Sequence, residues 1–599
     1  MNLAECFAMP NNQFVWFPLA DAAYQSDINK FAKLENLIYF ELTLDKVMPR
    51  HIFKFIYLIL VTTAVGTLCY WNNLMQPTKL ADASVDRLSC VSYSPFHQPG
   101  QTPFNRDLVI SPTQIESDLQ QLSQQFTCVR TYSVDQGLDA VPKLAQKLGL
   151  QVWLGVWIGR DTGNNNHEIE IATRLAQQFP DTIRGLIVGN EVLLRREQTP
   201  TRLRDILLDV KNRVPFLPVS YADSWDFWLR YHHELADAVS FATVHILPFW
   251  DDDTVAAKDA AQYVADTYHK VQTEMSGKAL MIGETGWPSY GRQRQDAAAS
   301  LLNQALFIRE FSAIAQAEAI PYNIIEAFDQ PWKRHSEGAV GGYWGMFDDD
   351  AQPKFALHGQ VAEAPNWCQL AFLTMLTLFV LFSYLHWRRQ KLDHSIALVI
   401  LPLSIIGGGA SVAYWRDMLM TNRNLLEWSY SVFYALALLL VTYGFVLNLI
   451  HCLAQQRYDC KQPPLQLKLL IANQCYCDDW LILLRRLFLF AAAVVCLLLV
   501  FDLRNRDYPL ALFSLPAIGW FLMACIQRQT DISLEETICA VWVGLAGLWL
   551  PVIEHMIFRP DMSFHFADGI NPNAFYWSVI CLLLSGSVLW RQSTQNPDA

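Results

Sequence analysis

Two glutamates follow apolar runs that read as buried strands: Ile187-Val188-Gly189-Asn190-Glu191 and Ile282-Gly283-Glu284-Thr285-Gly286-Trp287. A carboxylate in such a place is costly unless a partner or a function explains it. A carboxyl pair is what glycosidic cleavage requires. One group protonates the leaving oxygen, and with retained configuration the other attacks from about 5 to 5.5 Å away. A glycine just before each site allows close backbone approach, and Asn190 is suited to hydrogen-bond a sugar hydroxyl beside the reacting carbon. Tyr93, Tyr132, Trp250, Trp287, Trp332, Tyr343 and Trp344 fall near predicted strand ends, where aromatic rings stack on sugar faces. Trp287 and Trp332 are favoured as walls of the sugar site because each lies within a few residues of a motif.

Positioning these groups needs a sheet. Eight short β-branched or aromatic runs alternate with amphipathic stretches: Leu88–Tyr93, Thr127–Tyr132, Gln151–Val156, Ile183–Val188, Val219–Ala222, Ala238–Val244, Ala279–Gly283 and Tyr322–Ala327. Near-continuous apolar runs suit parallel strands buried on both faces. The region, residues 80–362, has the length of a (β/α)8 TIM barrel, an α/β fold. In that fold strands four and seven bring Glu191 and Glu284 to opposite sides of one mouth. Ser94-Pro95-Phe96 follows the first strand where a nucleotide-binding sheet would carry glycines, so nucleotide binding has no support.

VGNEV (Val188–Val192) and GETGWPS (Gly283–Ser289) resemble the acid/base and nucleophile signatures of glycoside hydrolase family 17, in a membrane-bound, bacterial-like form. VSYSPF (Val91–Phe96), VRTY (Val129–Tyr132), LGVW (Leu154–Trp157), EAFDQPWK (Glu326–Lys333) and YWGMF (Tyr343–Phe347) extend the likeness, in order, over residues 85–360. The resemblance implies a retaining reaction on β-1,3-glucan with Glu191 as general acid/base and Glu284 as nucleophile. The chain departs from the family at Val244-His245-Ile246-Leu247-Pro248, where many members carry Asn and Tyr before Pro. His245 therefore enters as a candidate sugar or nucleophile contact. It departs again at Phe328-Asp329-Gln330-Pro331, where plant members read FDEN, so no acid role passes to Gln330.

The 599-residue chain has a formal net charge of -12, 52% apolar residues and only 17% charged ones. Most of the negative excess, about ten charges, falls in the barrel region, which argues against nucleic acid and is indifferent to a neutral glucan. After residue 366 come seven apolar runs of roughly 17 to 25 residues, long enough to cross a bilayer: Trp367–Trp387, Ser395–Trp415, Trp428–Cys452, Leu487–Leu503, Tyr508–Ile526, Thr537–Phe558 and Phe575–Trp590. They make residues 366–591 an all-α polytopic transmembrane region. Another run, Phe53–Trp71, reads as a retained anchor over 53–72 rather than a cleaved signal. Arg50 and Lys54 precede the anchor, and Arg388, Arg389 and Lys391 follow the next span. Both flanks belong inside, which puts the barrel outside. Arg457, Lys461, Lys468, Arg485 and Arg486 agree; Arg504 and Arg506 dissent. Residues 1–52 form the cytoplasmic N-terminal segment. Within it, residues 1–47 are either a short extension or sequence upstream of a start at Met48.

Thirteen cysteines show no framework spacing. Cys90 and Cys128 could bridge outside the cell, but buried free thiols are the favoured reading. Asp251-Asp252-Asp253 and Asp348-Asp349-Asp350 read as solvated acidic loops, so no metal or other cofactor is expected. Gly407-Gly408-Gly409 reads as close helix packing or a kink. Glu554 and His555, near a span's outer end, read as interfacial groups in preference to a pathway.

The leading expectation is a β-1,3-glucan hydrolase held at the outer, periplasmic face of a cytoplasmic membrane. The alternatives are a transglycosylase that elongates or branches the glucan, and a non-catalytic glucan-binding or export component. Expected partners are a β-glucan oligo- or polysaccharide and the lipid bilayer, with a glucan synthase or export machinery as a further candidate.

Overall fold

The computed structural model describes residues 50–252, 254–389, 394–453, 477–501, 506–526, 532–558, 564–566 and 571–590. Residues 1–47, Lys391, Arg457, Lys461, Lys468, Arg504 and Asp253, all used in the sequence reading, lie outside this set.

Eight parallel strands close a barrel in chain order: β1 Leu88–Ser92, β2 Phe126–Arg130, β3 Gln151–Val156, β4 Ile183–Asn190, β5 Val219–Ser224, β6 Ala242–His245, β7 Leu280–Thr285 and β8 Tyr322–Ile324. The sixth strand starts later than its apolar run, because Ala236–Ala238 is spent on a 3-10 turn. Helices cover the outside. Their starts carry the expected signals: Ser111, Thr199 and Ser300 cap the helices Pro112–Gln125, Pro200–Arg213 and Leu301–Ala317, and the first two place Pro at the first turn.

Cys90 and Cys128 are register partners on β1 and β2, with Cα atoms 4.5 Å apart, and they are disulfide-bonded. This corrects the expectation of free thiols. Parallel pairing brings two inward-facing cysteines to the same level, and nothing in their sequence spacing announces that register. Closing a separation of 38 residues restricts the unfolded chain by about 4 kcal/mol in the loop-entropy picture.

The helical region comprises α1 Arg50–Met75, before the barrel, and after it α2 Pro365–Arg389, α3 His394–Thr421, α4 Leu425–Leu453, α5 Cys477–Phe501, α6 Leu510–Ile526, α7 Leu534–His555 and α8 Pro572–Leu589, counting only this bundle. Seven of the described helices are long and apolar enough to cross a membrane. The eighth, α6, is apolar but only 17 residues long. The glycine triad serves packing. A Cβ at Gly407 would strike Thr442 of α4, one at Gly408 would meet the Met375 backbone of α2 at 2.8 Å, and one at Gly409 would meet Trp71 of α1 at 3.0 Å. Three neighbours thus crowd α3 at consecutive positions.

The C-terminal end of α3 also reaches the barrel. The Tyr290 hydroxyl donates to Asp417 at 2.5 Å, Arg416 lies 5.4 Å from the Tyr290 ring centre and 3.6 Å from Glu363, and the Met420 carbonyl accepts from Tyr343 and Arg334. Glu554 has a structural part: it accepts from Arg506, Tyr508 and Asn571, and Asn571 donates onward to the Gln293 carbonyl. Tyr290 and Gln293 belong to the loop after β7, and Arg334 and Tyr343 to the segment after β8. The barrel therefore rests its mouth-side loops on the bundle. Replacing Asp417 with Ala removes the acceptor beneath Tyr290, so amide hydrogen exchange over residues 286–295 of the full chain in detergent is expected to speed up several-fold. Unchanged exchange there would show that the loop holds itself.

Candidate active site

The site is made by irregularities at the strand ends. Glu191 leaves β4 with φ 52°, two residues after Gly189 at φ 85°. A side chain at 189 would meet Val192 at 2.8 Å and the Tyr221 ring at 3.3 Å, so glycine is what this turn admits. Register slips occur between Ile187 and Asn190, between Val244 and His245, and between Ile282 and Thr285. Each lies beside a polar residue of the site, and such bulges re-aim side chains. A Cβ at Gly283 would collide with Thr243 and stand 3.0 Å from the His245 ring, so this glycine lets β6 and β7 close up around the imidazole.

The barrel interior holds a guanidinium. Arg130, 1% exposed on β2, donates to the Gly283 carbonyl at 2.8 Å, to Glu284 Oε1 at 3.2 Å and to Asn190 Oδ1 at 2.5 Å. The Tyr132 hydroxyl donates to the same Glu284 oxygen at 2.9 Å, and His245 Nε2 lies 3.6 Å from it. These groups gather on Oε1 of Glu284. His245 Nδ1 is 3.3 Å from Glu191 Oε1, so one imidazole stands between the two carboxyl groups. Arg195, one helical turn after Glu191 in sequence, reaches its Oε2 at 3.8 Å.

Glu191, His245 and Glu284 each offer an atom within 4.8 Å of the others, a spacing that would also suit a metal ion. The surrounding field opposes one, because Arg130 and Arg195 already bring positive charge to both carboxylates. The acidic runs are locally satisfied: Asp251 accepts from Tyr263, and Asp348 from the backbone of Asp350 and Gln352.

The other sequence candidates divide. Asn190, Tyr132 and His245 converge on the carboxyl pair. Tyr93 points out of the barrel: its hydroxyl donates to Asp118 on Pro112–Gln125 at 2.8 Å, and it is fully buried. The reason is strand alternation, since Ser92 and Cys90 take the inward positions of β1. Trp287 is also fully buried, donating to the Ala298 carbonyl and packed edge-on to Phe249, so it supports the loop from behind and forms no sugar wall. Trp332 stays half-buried, with its indole N–H on Gln330 and its ring 5.4 Å from that of the exposed Phe104. Together these two form an accessible aromatic edge.

Arg130, Arg195, Glu326 and Lys333 join the site without having stood out as candidates in the sequence. Glu326 is buried against Lys333 at 2.8 Å, and burial pushes its carboxyl up to about 7 despite that partner. A charged residue inside an apolar strand, as in Val129-Arg130, was the signal available for the first. Glu326 carried the same cue as the two glutamates that were chosen.

Residues 90–345 match the BtgE/BtgC glycoside hydrolase domain family. A glucan 1,3-beta-glucosidase of Saccharomyces cerevisiae is 25% identical over 268 residues, covering 41% of this chain and 85% of the relative. One of Arthroderma benhamiae is 29% identical over 265 residues, covering 40% and 82%. Among solved structures, the glycoside hydrolase family 17 beta-1,3-glucanosyltransferase of Rhizomucor miehei aligns at 24% identity over 46% of this chain and 97% of that one, with a TM-score of 0.40. All three likenesses leave more than half of this chain unmatched.

Burial alone would raise the Glu191 carboxyl, but the hydrogen bond and charge of His245, with help from Arg195 and Arg130, outweigh it and leave the group below its ordinary value. A general acid is lost as pH rises through its pKa. In His245→Gln the lowering influence is gone, so the alkaline limb of the kcat/KM profile is expected at higher pH than in the parent. A limb that stays put or moves down would show that His245 does not control Glu191.

Proposed function

We propose that this chain is a retaining glycosidase acting on β-1,3-linked glucan through a covalent glucosyl-enzyme intermediate. The observation that carries this reading is the pair itself: carboxyl oxygens of Glu191 and Glu284 come within 4.8 Å of each other, on the short side of the spacings carboxyl pairs show in glycosidic cleavage, where one of them attacks directly. The match to a glycoside hydrolase domain and the names of the relatives support the substrate class.

In the first step Glu191 gives its proton to the glycosidic oxygen while Glu284 bonds to the anomeric carbon and the carbon–oxygen bond to the leaving sugar breaks. Arg130 and Tyr132 keep Glu284 aimed. In the second step ionised Glu191 takes a proton from an incoming hydroxyl, whose oxygen displaces Glu284. Water as that hydroxyl gives hydrolysis, and a sugar acceptor gives chain elongation or branching. Mass spectrometry of products from a defined oligomer separates the two by whether chains longer than the substrate form.

The reaction is proposed to run at the outer face of a membrane. Supporting this, the helix ends that bond to the barrel are those of α3 and α8, with the end of α7 tied to the latter through Glu554 and Asn571, and strict alternation assigns all three to one side. Arg388, Arg389, Arg485 and Arg486 belong to the opposite ends, and the Cys90–Cys128 bridge suits an oxidising compartment. A phosphatase fused after Ala362 is expected to be active and one fused after Ala599 inactive; the reverse pattern would overturn this topology.

Replacing Glu284 with Ala opens a space on the face opposite the leaving group. Azide entering there is expected to convert a β-glucosyl substrate with a good leaving group into the α-azide. Glu191→Ala should lower turnover of unactivated glucan by about 10²–10⁴-fold. On activated substrate it should accumulate the intermediate, which azide releases as the β-azide. Anomeric proton couplings by NMR distinguish the products. Exchanged anomers would swap the roles, and undiminished glucan turnover by both variants would remove the pair from catalysis.

A further inference from the structure

The loop that carries Glu191 continues into a cavity that the reaction as described does not use. Residues 191–197 fold into a tight knot: the amides of Arg195, Arg196 and Glu197 donate to the carbonyls of Glu191, Leu193 and Val192. The backbone is left-handed at both Glu191 (φ 52°) and Arg196 (φ 53°). Two non-glycine residues in that region within one short loop cost free energy that packing must offset, and such strain collects at functional sites. The knot helps wall an open cavity of about 700 Å³ together with Gln198, Arg202 and the ring-bearing helix Trp225–Leu235.

The charge of that wall is out of keeping with its domain. Residues 80–362 carry about ten more acidic than basic groups, so an arginine there has carboxylates to choose from. Arg196 and Arg202 nevertheless have no ion pair or side-chain hydrogen bond among the described residues. Arg230, across the cavity, reaches Asp226 only at 3.7 Å and lies 4.8 Å from the Phe227 ring centre. Glu197, the carboxylate in the lining, is already taken by Arg195 at 2.9 Å. Two exposed, unpaired guanidinium groups, Arg196 and Arg202, thus share one opening with Arg230, whose partner Asp226 is 3.7 Å away, beside two aromatic rings, Phe227 and Tyr231, of the kind that pack on sugars. Guanidinium forks suit planar or tetrahedral oxyanions.

A lipid headgroup is the other obvious anion in a membrane-attached chain, and barrel order argues against it. The cavity belongs to the loops after β4 and β5, while the loops resting on the bundle follow β7 and β8, two to four strands further round the eight-strand ring. One wall of the cavity is the loop that begins at Glu191.

We infer that this cavity binds an anionic group, a carboxylate or a phosphate, borne by the glucan on its leaving or accepting side, so that the substrate or acceptor is a charged β-glucan in place of a plain one. The inference rests on the glycosidase reading for its sugar and on the arginines for its charge. Binding can be measured by calorimetry on the full chain carrying Glu284→Gln, using three probes: neutral laminaripentaose, the same oligomer with one 6-carboxylate, and the same oligomer with one 6-phosphate. At least one anionic probe is expected to bind about tenfold tighter than the neutral one at low salt, with the preference shrinking as salt rises. Which probe wins identifies the anion. The double substitution Arg196→Gln with Arg202→Gln should bring the anionic-to-neutral ratio to about one; because it is a ratio within one protein, general loss of folded material cancels. Equal or weaker binding of both anionic probes, or a preference that survives the double substitution, would overturn the inference. Turnover of the three probes by the parent chain is scored separately: hydrolysis without charge preference leaves the glycosidase reading standing and sinks this one, and charge-selective binding with no turnover of any probe does the opposite.

Discussion

A guanidinium at the centre of the barrel organises the site. Arg130 is cut off from water, and an ion in that position is tolerated only where neighbours offset its charge; both terminal nitrogens find acceptors, while Nε has none. Its partners come from two other strands: Asn190 at the end of β4, and the Gly283 carbonyl with Glu284 at the end of β7. The same contacts that make the cation bearable therefore also fix the separation between strands four and seven. The residues that carry the two carboxyl groups are thus tied together by a charge that has nowhere else to go. Asn323 on β8 adds ties to both adjacent strands, donating to the same Gly283 carbonyl on β7 and to Ser92 on β1.

Much of this could be read from the chain. Eight apolar runs became eight strands, most within two residues of their expected bounds, because strands buried on both faces need uninterrupted apolar sequence. The two glutamates stood out for the converse reason, as charges where burial forbids them. What escaped were features that depend on register and facing. Tyr93 and Cys90 lie three positions apart on one strand and face opposite ways, which sent the tyrosine to Asp118 and the cysteine to Cys128. Proximity in sequence to a motif misjudged Trp287, because its loop folds back over the barrel and puts the indole against Phe249. Arg130 carried the local signal of a charge inside an apolar strand, but nothing in VRTY says which strands its side chain reaches.

Pairs of charged residues in the helical region behave by the same logic. Glu536 caps its own helix with Ser533 and takes both Arg485 and Arg486, while at the other end of the bundle Glu554 gathers Arg506, Tyr508 and Asn571. Each acid joins separate helices or connecting segments at a level where apolar packing gives way to polar surroundings. Arg506, which dissents from the charge bias expected of an outer loop, is explained by this local pairing, since buried ion pairs override a statistical preference.

The two strands that connect barrel and bundle have a consequence for how such a chain is put together. Thr78 and Lys79, just after α1, pair antiparallel with Val361 and Gln360, just before α2, and the Ala364 amide reaches back to the Leu74 carbonyl at 3.0 Å. Entry and exit of the barrel are thereby zipped side by side over helices that already pack together through Trp71, Cys368 and Met375. In architectural terms the barrel is a cassette set into a helical hairpin, its entry and exit side by side. Domains whose ends meet are the ones that can be inserted, removed or exchanged without rethreading their host. A helical scaffold with this hairpin could carry a different catalytic head, or none, on the same two-strand stalk.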